Sequence, residues 1–133
     1  MNHVAIVHRE YVEAILDGSK TIEARLARVR CAPYEKIKTG DRIYIKQSSG
    51  PYRARARVEK VRFFDGLTPV RVRAIRKQYN GAIGGPESYW QSKRDARVAT
   101  LVWLGEVKPI TRGPRIPKMH GRGWLVLSGG AKR

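Results

Sequence analysis

The chain has 133 residues, of which 41% are hydrophobic, and its 28 Lys and Arg residues against 11 Asp and Glu residues give a formal net charge of +17. These totals predict one folded domain and exclude a disordered chain. The sequence has no apolar run of about 18 residues, so no membrane span is predicted. The charge favours a polyanionic partner, nucleic acid first, over a basic protein without a specific partner. Of the nucleic acids, we expect RNA first and DNA second. Because no signal peptide opens the chain and Cys31 is its single cysteine, we expect a cytoplasmic protein, and we expect a monomer.

The first predicted elements are an apolar strand over residues 3–7 and a helix over residues 9–17. Apolar residues in the second segment recur at i, i+3 and i+4, and Gly18 follows where a helix end favours glycine.

A strand is predicted from Thr21 onward, and its alternation places Thr21, Glu23 and Arg25 on one face. One interpretation is a solvated strand face that carries a surface ion pair. The other is a polar cluster directed into a pocket, which Lys20 joins from the preceding turn. The spacing alone leaves both open.

A β-hairpin is predicted over residues 42–58, because both arms alternate apolar and polar residues around a Ser-Ser-Gly-Pro turn. The alternation slips between Val58 and Val61, which predicts a β-bulge of the kind that helps a sheet close into a barrel. The outward positions of the arms carry cations that we expect to bind nucleic acid: Arg42, Arg53, Arg55 and Arg57.

A longer helix is predicted to begin with Thr68 as its N-cap and Pro69 in its first turn, and to end near Gln78. Its apolar face would consist of Val70, Ala74 and Ile75. Its other positions add four cations to the expected nucleic-acid surface: Arg71, Arg73, Arg76 and Lys77.

The remainder is predicted to contain a mobile glycine-rich loop over residues 80–86 and a short helix over residues 87–95. An apolar run over residues 98–104 is typical of a buried central strand, and residues 108–122 form a loop. Residues 123–127 close the sheet, and residues 128–133 are expected to be a disordered basic tail. We place Trp103 and Trp124 in the core.

The run Gly18-Ser19-Lys20-Thr21-Ile22-Glu23-Ala24-Arg25, followed by Gly40-Asp41-Arg42-Ile43, resembles the ASCH domain family of the PUA-like superfamily. The later Tyr89-Trp90 pair and the closing Gly-Trp-Leu-Val-Leu also resemble it. The resemblance and the predicted elements imply a single α+β domain over residues 1–127. Its fold would be a small mixed PUA-like β-barrel of five or six strands surrounded by short helices.

The resemblance further implies a cleft between the barrel and the first helix, lined by Lys20, Glu23 and Arg25. We treat Lys20 and Glu23 as candidate catalytic residues: Lys20 as a base or a stabiliser of a phosphate oxyanion, Glu23 as a group that orients Lys20 or a water, or accepts a nucleobase N–H. Arg25 would bind phosphate or hold Glu23. The other candidate substrate-binding residues are Thr21, Lys46, Tyr89, Trp90 and Lys93, which combine cations with aromatic platforms for bases.

Three functions stay open at this point. Relatives in the family include ribonucleases, amidohydrolases that act on acylated cytidine, and presumed RNA binders. The chain could be an RNA-binding ASCH domain with or without ribonuclease activity, an amidohydrolase of an acylated or otherwise modified cytidine, or a non-enzymatic reader of modified bases in DNA or RNA. Glu23 stands where the amidohydrolase branch has threonine, which disfavours that activity.

No cofactor is predicted. The histidines His3, His8 and His120 have no metal-ligand spacing with one another or with Cys31. Dependence on a divalent metal is left open.

Overall fold

The computed structural model describes residues 1–118 and 121–127. Its strands are β1 (Asn2–Val7), β2 (Ile22–Ala27), β3 (Arg42–Gln47), β4 (Tyr52–Phe64), β5 (Val98–Pro109) and β6 (Trp124–Leu127). Its helices are α1 (Arg9–Asp17), α2 (Pro69–Ile83) and α3 (Glu87–Ser92). The predicted tail over residues 128–133 lies outside the described residues.

The six strands form one mixed sheet in the order β2-β5-β4-β3-β1-β6. β1 and β3 run parallel, and every other neighbouring pair is antiparallel. The sheet curls into a half-barrel with the helices packed on it. This confirms the predicted α+β class and the small, curled mixed sheet of six strands surrounded by helices.

The curl follows from irregular pairing along β4. The register of β4 against β5 shifts between Arg55 and Arg57 and again between Val58 and Lys60. A strand with an extra residue bends and twists more strongly at that point. The predicted bulge in this region is confirmed. The bent β4 pairs with β3 along one part and with β5 along the other, and β5 in turn pairs with β2.

Two apolar cores lie on opposite faces of the sheet. The first joins β1, β3 and β4 to Val12 and Ile15 of α1, and the second joins β2 to α2 and α3. β5 contributes Val102 to the first core and Leu101 to the second. A strand that is buried on both faces is apolar at nearly every position, which explains the run over residues 98–104 and confirms it as a central strand.

The predicted end of α2 was wrong. The helix continues past Gln78 to Ile83, so the first residues of the predicted mobile loop form its last turn. Ile83 is buried in the second core, and this burial outweighs the low helix propensity of Gly81. Gly84, with φ of 76°, ends the helix in the left-handed conformation that glycine adopts readily.

The predicted apolar face of α2 also needs correction. Val72 and Ile75 are buried against the sheet, whereas Val70 is 65% exposed and Ala74 is exposed. The buried face of α2 contains Val72 and Ile75, which are three residues apart and so lie on one side of the helix. Val70 lies outside this face. α3 is shorter than predicted and ends at Ser92.

A buried polar chain links the start of β1 to β6. Trp124 Nε1 donates to His3 Nδ1 at 3.1 Å, and His3 Nε2 lies 2.9 Å from Asp41 Oδ2. Burial lowers the pKa of His3, although the hydrogen bond to Asp41 opposes that shift. Trp124 is a core residue as predicted, whereas Trp103 is only half-buried.

No helix within residues 1–118 and 121–127 combines the length and the apolar character that a membrane span requires.

Candidate functional site: a cleft at the seam of the sheet

Arg25 links the two ends of the curled sheet. It lies on the edge strand β2, and its Nη1 donates to Gly123 O, next to the other edge strand β6, at 3.1 Å. Its Nη2 donates to Ile6 O on β1 at 3.0 Å, and its guanidinium lies 5.1 Å from the ring centre of Trp124. One side chain therefore closes the seam between the two edges of the half-barrel.

A cleft of about 850 Å³ lies along this seam. Its walls come from β1, the start of α1, β2, α3 and the segment before β6. Most of the side chains that line it are polar, and they mix cations with aromatic and hydroxyl groups: His8, Tyr11, Glu23, Arg25, Lys46, Ser48, Ser49, Ser88, Tyr89, Ser92, Lys93 and Arg122. The volume falls in the range of small-molecule and nucleotide sites.

The polar cluster of the first motif is a buried ion network at the wall of this cleft. Glu23 Oε2 accepts from Arg25 Nε at 2.8 Å, and Glu23 Oε1 lies 3.4 Å from Lys20 Nζ. Burial alone would raise the pKa of Glu23, but the charges of Arg25 and Lys20 outweigh it and hold that pKa below its usual range. Glu23 is thus a carboxylate, and its ion pairs are buried at the cleft wall rather than on a solvated strand face.

Lys20 is held in place by this network. Its Nζ donates to Ile22 O at 2.9 Å and to Ile83 O at 2.7 Å, in addition to its contact with Glu23. Of the three hydrogens of the ammonium group, two are donated to carbonyl oxygens, and the charge is paired with Glu23. Lys20 joins β2 to the end of α2, and to act as a base or to bind a phosphate it would have to give up one of these bonds.

Two tyrosines stand beside Glu23. Tyr11 and Tyr89 line the cleft and also a small inner recess of about 40 Å³ behind it. Burial, and then the Glu23 charge, raise the pKa of Tyr89, so its hydroxyl stays neutral, and it lies 3.4 Å from Ala24 O. Such half-buried rings are suited to stacking on a nucleobase.

Gly85 keeps the inner recess open. A Cβ atom at this position would lie 2.8 Å from Tyr89 Cδ2 and 2.9 Å from Trp90 Nε1. Both distances are shorter than real side chains tolerate, so only glycine fits here without movement of the two rings.

Cations surround the mouth of the cleft. Lys46 Nζ donates to Gly50 O at 2.6 Å, and Lys93 Nζ lies 5.7 Å from the ring centre of Tyr89. Arg122 is exposed where the chain approaches β6. Phosphate groups of a bound nucleotide would meet positive charge at this rim.

Two predicted substrate-binding residues lie elsewhere. Thr21 is exposed and does not line the cleft. Its backbone N–H donates to Ala82 O at 3.0 Å, and its carbonyl oxygen accepts from Leu104 N at 2.9 Å. Trp90 is 4% exposed and packs in the second core, because α3 turns this residue inward while Tyr89 faces the cleft. The expectation that Trp90 offers an accessible platform was therefore wrong.

The arginines of the predicted hairpin do not join the cleft. Arg42, Arg55 and Arg57 line a separate groove of about 130 Å³ with Lys108, and Glu106 lies 3.6 Å from Arg57 there. Arg53 is directed to α1 instead, where it donates to Glu13 at 2.8 Å.

The four cations of α2 form a third basic surface. Arg71, Arg73 and Lys77 are exposed, and Arg76 donates to Glu87 of α3 at 2.6 Å. Arg73 and Arg76 line a groove of about 270 Å³ between α2 and α3. Most of the cations predicted to bind substrate or nucleic acid therefore lie on three surfaces. Of these, only the cleft also contains Glu23, Tyr11 and Tyr89.

Sequence reasoning missed several residues of the cleft, among them four serines, one histidine, one tyrosine and one arginine. His8 and Tyr11 stand at the start of α1, and Arg122 lies in the segment predicted as a loop. The implied position of the cleft, next to the first helix, could have pointed to His8 and Tyr11. Nothing local to Arg122 marks it as a lining residue.

Across the described ranges, 1–118 and 121–127, no group of three His, Cys, Asp or Glu side chains is placed to hold a metal ion.

Comparison with solved structures identifies the architecture. A Ser-to-Ala variant of the ASCH protein of Zymomonas mobilis superposes with a TM-score of 0.67 at 19% identity, covering 95% of this chain and 87% of that one. A Tyr-to-Phe variant of the same protein gives 0.63 at 22% identity, covering 83% and 75%. The chain has an ASCH-like fold. The ASCH-like half-barrel is also shared with protein EF3133 of Enterococcus faecalis, with a TM-score of 0.54 at 13% identity and coverage of 81% and 76%.

No protein-family model and no curated protein matches the sequence. At these identities the structural similarities establish the ASCH-like fold, and the chemistry has to be argued from the cleft itself.

Proposed function

We propose that this ASCH-like domain binds single-stranded RNA and receives one nucleotide in the cleft at the seam of the sheet. The observation that carries the proposal is the cleft of about 850 Å³ in which Tyr11 and Tyr89 accompany an ionised Glu23 beneath a rim of cations. Unstacked bases of single strands bind to aromatic rings and polar groups of this kind, while their phosphates contact Lys and Arg.

The remaining cations support a nucleic-acid partner over a free nucleotide. A formal charge of +17 exceeds what one nucleotide can neutralise. The groove of Arg42, Arg55, Arg57 and Lys108 would contact phosphates further along the strand. Such contacts add affinity without sequence preference, because they release counterions from the backbone.

The test is binding of a labelled ten-nucleotide RNA, measured by fluorescence anisotropy across a salt series. We expect affinity to fall with salt at a logarithmic slope of about −0.7 for each phosphate contacted. The double variant Lys93→Ala, Arg122→Ala should reduce the slope and the affinity. Lys36→Ala, an exposed cation outside the cleft lining, is the matched control and should bind almost as wild type does.

Competition with duplex RNA and single-stranded DNA separates the alternatives. Preference for single-stranded RNA supports the proposal. Preference for duplex DNA would favour the reader of modified bases, which would use the same cleft for a flipped base. Binding that ignores salt, or no binding, would contradict the proposal.

RNA cleavage is a second candidate function, and the position of His8 favours it. This histidine is exposed at the cleft and occupies the N-cap position of α1, where its side chain makes no capping hydrogen bond. Histidine is the side chain most often used for proton transfer near neutral pH. It would take the proton from the ribose 2′-hydroxyl, whose oxygen attacks the adjacent phosphorus as the P–O5′ bond breaks. The departing 5′-oxygen takes a proton from water, and Lys46 or Lys93 stabilises the charge on the phosphate.

Cleavage is tested with the same RNA and the variant His8→Ala. Loss of cleavage with retained binding would assign His8 to the reaction. Cleavage that persists in His8→Ala, or intact RNA with wild type, would remove this second candidate while leaving RNA binding in place.

The amidohydrolase alternative gains no support from the network. It would make Lys20 and Glu23 the reacting pair, whereas Lys20 donates to the carbonyl oxygens of Ile22 and Ile83 and is paired in charge with Glu23. Turnover of a modified cytidine nucleoside by wild type, lost in Lys20→Ala, would restore it.

A further inference from the structure

Glu23 differs in charge from everything else that is ionised in the cleft. Among the described residues that line it, Glu23 supplies the single carboxylate, while Arg25, Lys46, Lys93 and Arg122 supply cations. A surface that only holds phosphate gains nothing from an acid. The side chain of Glu23 is about 10% exposed and borders both the cleft and the inner recess.

The Glu23 carboxylate can accept more hydrogen bonds than its protein partners donate. An ionised carboxylate only accepts, and its two oxygens offer about four lone-pair positions. Arg25 Nε occupies one at 2.8 Å, and Lys20 Nζ approaches another at 3.4 Å. About two positions therefore remain for a donor on a ligand.

The network also fixes the direction of the carboxylate. Arg25 is bonded to the carbonyl oxygens of Ile6 and Gly123, and Lys20 to those of Ile22 and Ile83. Both cations are thereby tied to backbone of separate elements. Glu23 cannot turn away from a mismatched ligand without breaking contacts to both.

We infer that Glu23 makes the cleft selective for nucleobases that direct an amino group toward it, with cytosine favoured over uracil. The inference rests on the proposed function and extends it by naming the class of base. Cytosine offers N4–H₂ as a donor on the edge where uracil has an O4 acceptor. A uracil in the same position would bring that oxygen against the carboxylate without a hydrogen between them, which costs free energy for both groups.

Tyr11 and Tyr89 would stack equally well on either pyrimidine, since every base has a π-face. Phosphate contacts at the rim are also indifferent to the base. The difference between cytosine and uracil therefore isolates the contribution of Glu23. Adenine carries an equivalent amino group, and we expect it to be accepted as cytosine is.

The experiment compares wild-type affinity for ten-nucleotide oligocytidylate and oligouridylate under identical salt conditions. One well-placed polar contact to a base edge discriminates by about tenfold or more, and we expect oligocytidylate to bind more tightly by at least that factor. A third RNA, in which pyrimidin-2-one replaces cytosine and so lacks the amino group, should bind more weakly than oligocytidylate.

Glu23→Gln tests the residue itself, because its amide presents either a donor or an acceptor and the cytosine-to-uracil ratio should fall toward one. Glu13→Gln is the matched control: Glu13 is an exposed carboxylate outside the cleft, and its loss should leave the ratio unchanged. Should Glu23→Gln fail to fold, the pyrimidin-2-one RNA decides the question with wild-type protein alone.

The outcomes separate the two proposals. Equal binding of oligocytidylate and oligouridylate overturns the base selection and leaves RNA binding standing. A cytosine-to-uracil ratio that persists in folded Glu23→Gln also overturns it, as does a pyrimidin-2-one RNA that binds wild type as tightly as oligocytidylate. Failure of all the RNAs to bind overturns the proposed function and the selection with it.

Discussion

Arg25 and Gly123 lie on opposite sides of the seam in the half-barrel, and the guanidinium Nη1 donates to the Gly123 carbonyl at 3.1 Å. A Cβ atom on residue 123 would lie 2.6 Å from the same Nη1. The close approach therefore depends on a glycine at one side and an arginine at the other. The first motif of the chain, which contains Arg25, shapes the cleft by closing the sheet beside it.

Arg25→Ala should destabilise the fold. It would leave Glu23 with one cation and remove the hydrogen bonds to Ile6 O and Gly123 O. Loss of one partner from a largely buried ion network costs about 2–3 kcal/mol of unfolding free energy. Urea denaturation measures this. Arg28→Ala, which removes an exposed pair with Asp95, is the control and should change little.

An Arg25→Ala protein as stable as Arg28→Ala would show that the seam is held by something other than Arg25.

The stability that Glu23 contributes should depend on pH. Because the pKa of Glu23 is lowered in the fold, native protein disfavours its protonation more than unfolded chain does. The contribution is fully present above the ordinary glutamate pKa of about 4.3 and is lost as the pH falls through the lower native pKa. The unfolding free energies of wild type and Glu23→Gln should therefore converge between about pH 5 and about pH 2. A difference that stays constant over this range would refute the prediction.

His3 should be neutral with its proton on Nε2. Trp124 Nε1 can only donate, so His3 Nδ1 accepts, and Nε2 donates to Asp41. Because burial lowers the pKa of His3, the unfolded chain binds its proton more readily, and stability should decrease as the pH falls below about 6.5. Nitrogen-15 shifts of the imidazole distinguish the two tautomers. An Nδ1–H form, or an imidazolium at pH about 7, would contradict the described network.

Gly85→Ala should destabilise the protein and narrow the inner recess. The new methyl would press on Tyr89 Cδ2 and Trp90 Nε1, and overpacking of this kind costs about 1–3 kcal/mol. Gly81→Ala is a matched control within α2, where nothing lies within 4 Å of the added Cβ. We expect it to gain up to about 1 kcal/mol from helix propensity.

Thermal or urea unfolding of the two alanine variants should thus change in opposite directions. Equal effects at the two positions would mean that residue 85 has room for a side chain.

Local patterns predicted most of the fold. The alternation in residues 42–58 and the double-sided apolar run in residues 98–104 depend only on which faces are buried, and both were confirmed. The end of α2 could not be predicted, because it depends on Ile83 reaching a core formed by distant strands. Propensity favoured a break at Gly81, and tertiary burial overrode it.

The cleft was only partly predictable. Alternation placed Glu23 and Arg25 on one face, but no local signal showed that Lys20 donates to two backbone carbonyls, one of them 63 residues away. The sequence also did not indicate which of Tyr89 and Trp90 faces the core. Adjacent side chains point about 100° apart around a helix axis, so either residue could have done so. The role of Arg42, Arg55 and Arg57 in binding nucleic acid stays a prediction.

The most direct test of the cleft as the binding site is amide chemical-shift mapping by NMR with cytidine 5′-monophosphate. A single nucleotide cannot span the separate basic surfaces, so it reports where one base and one phosphate prefer to lie. We predict the largest shifts at cleft residues on its different walls: Tyr11, Glu23, Ser48, Tyr89 and Lys93. Shifts confined to the groove of Arg42, Arg57 and Lys108, with the cleft signals unmoved, would contradict the account.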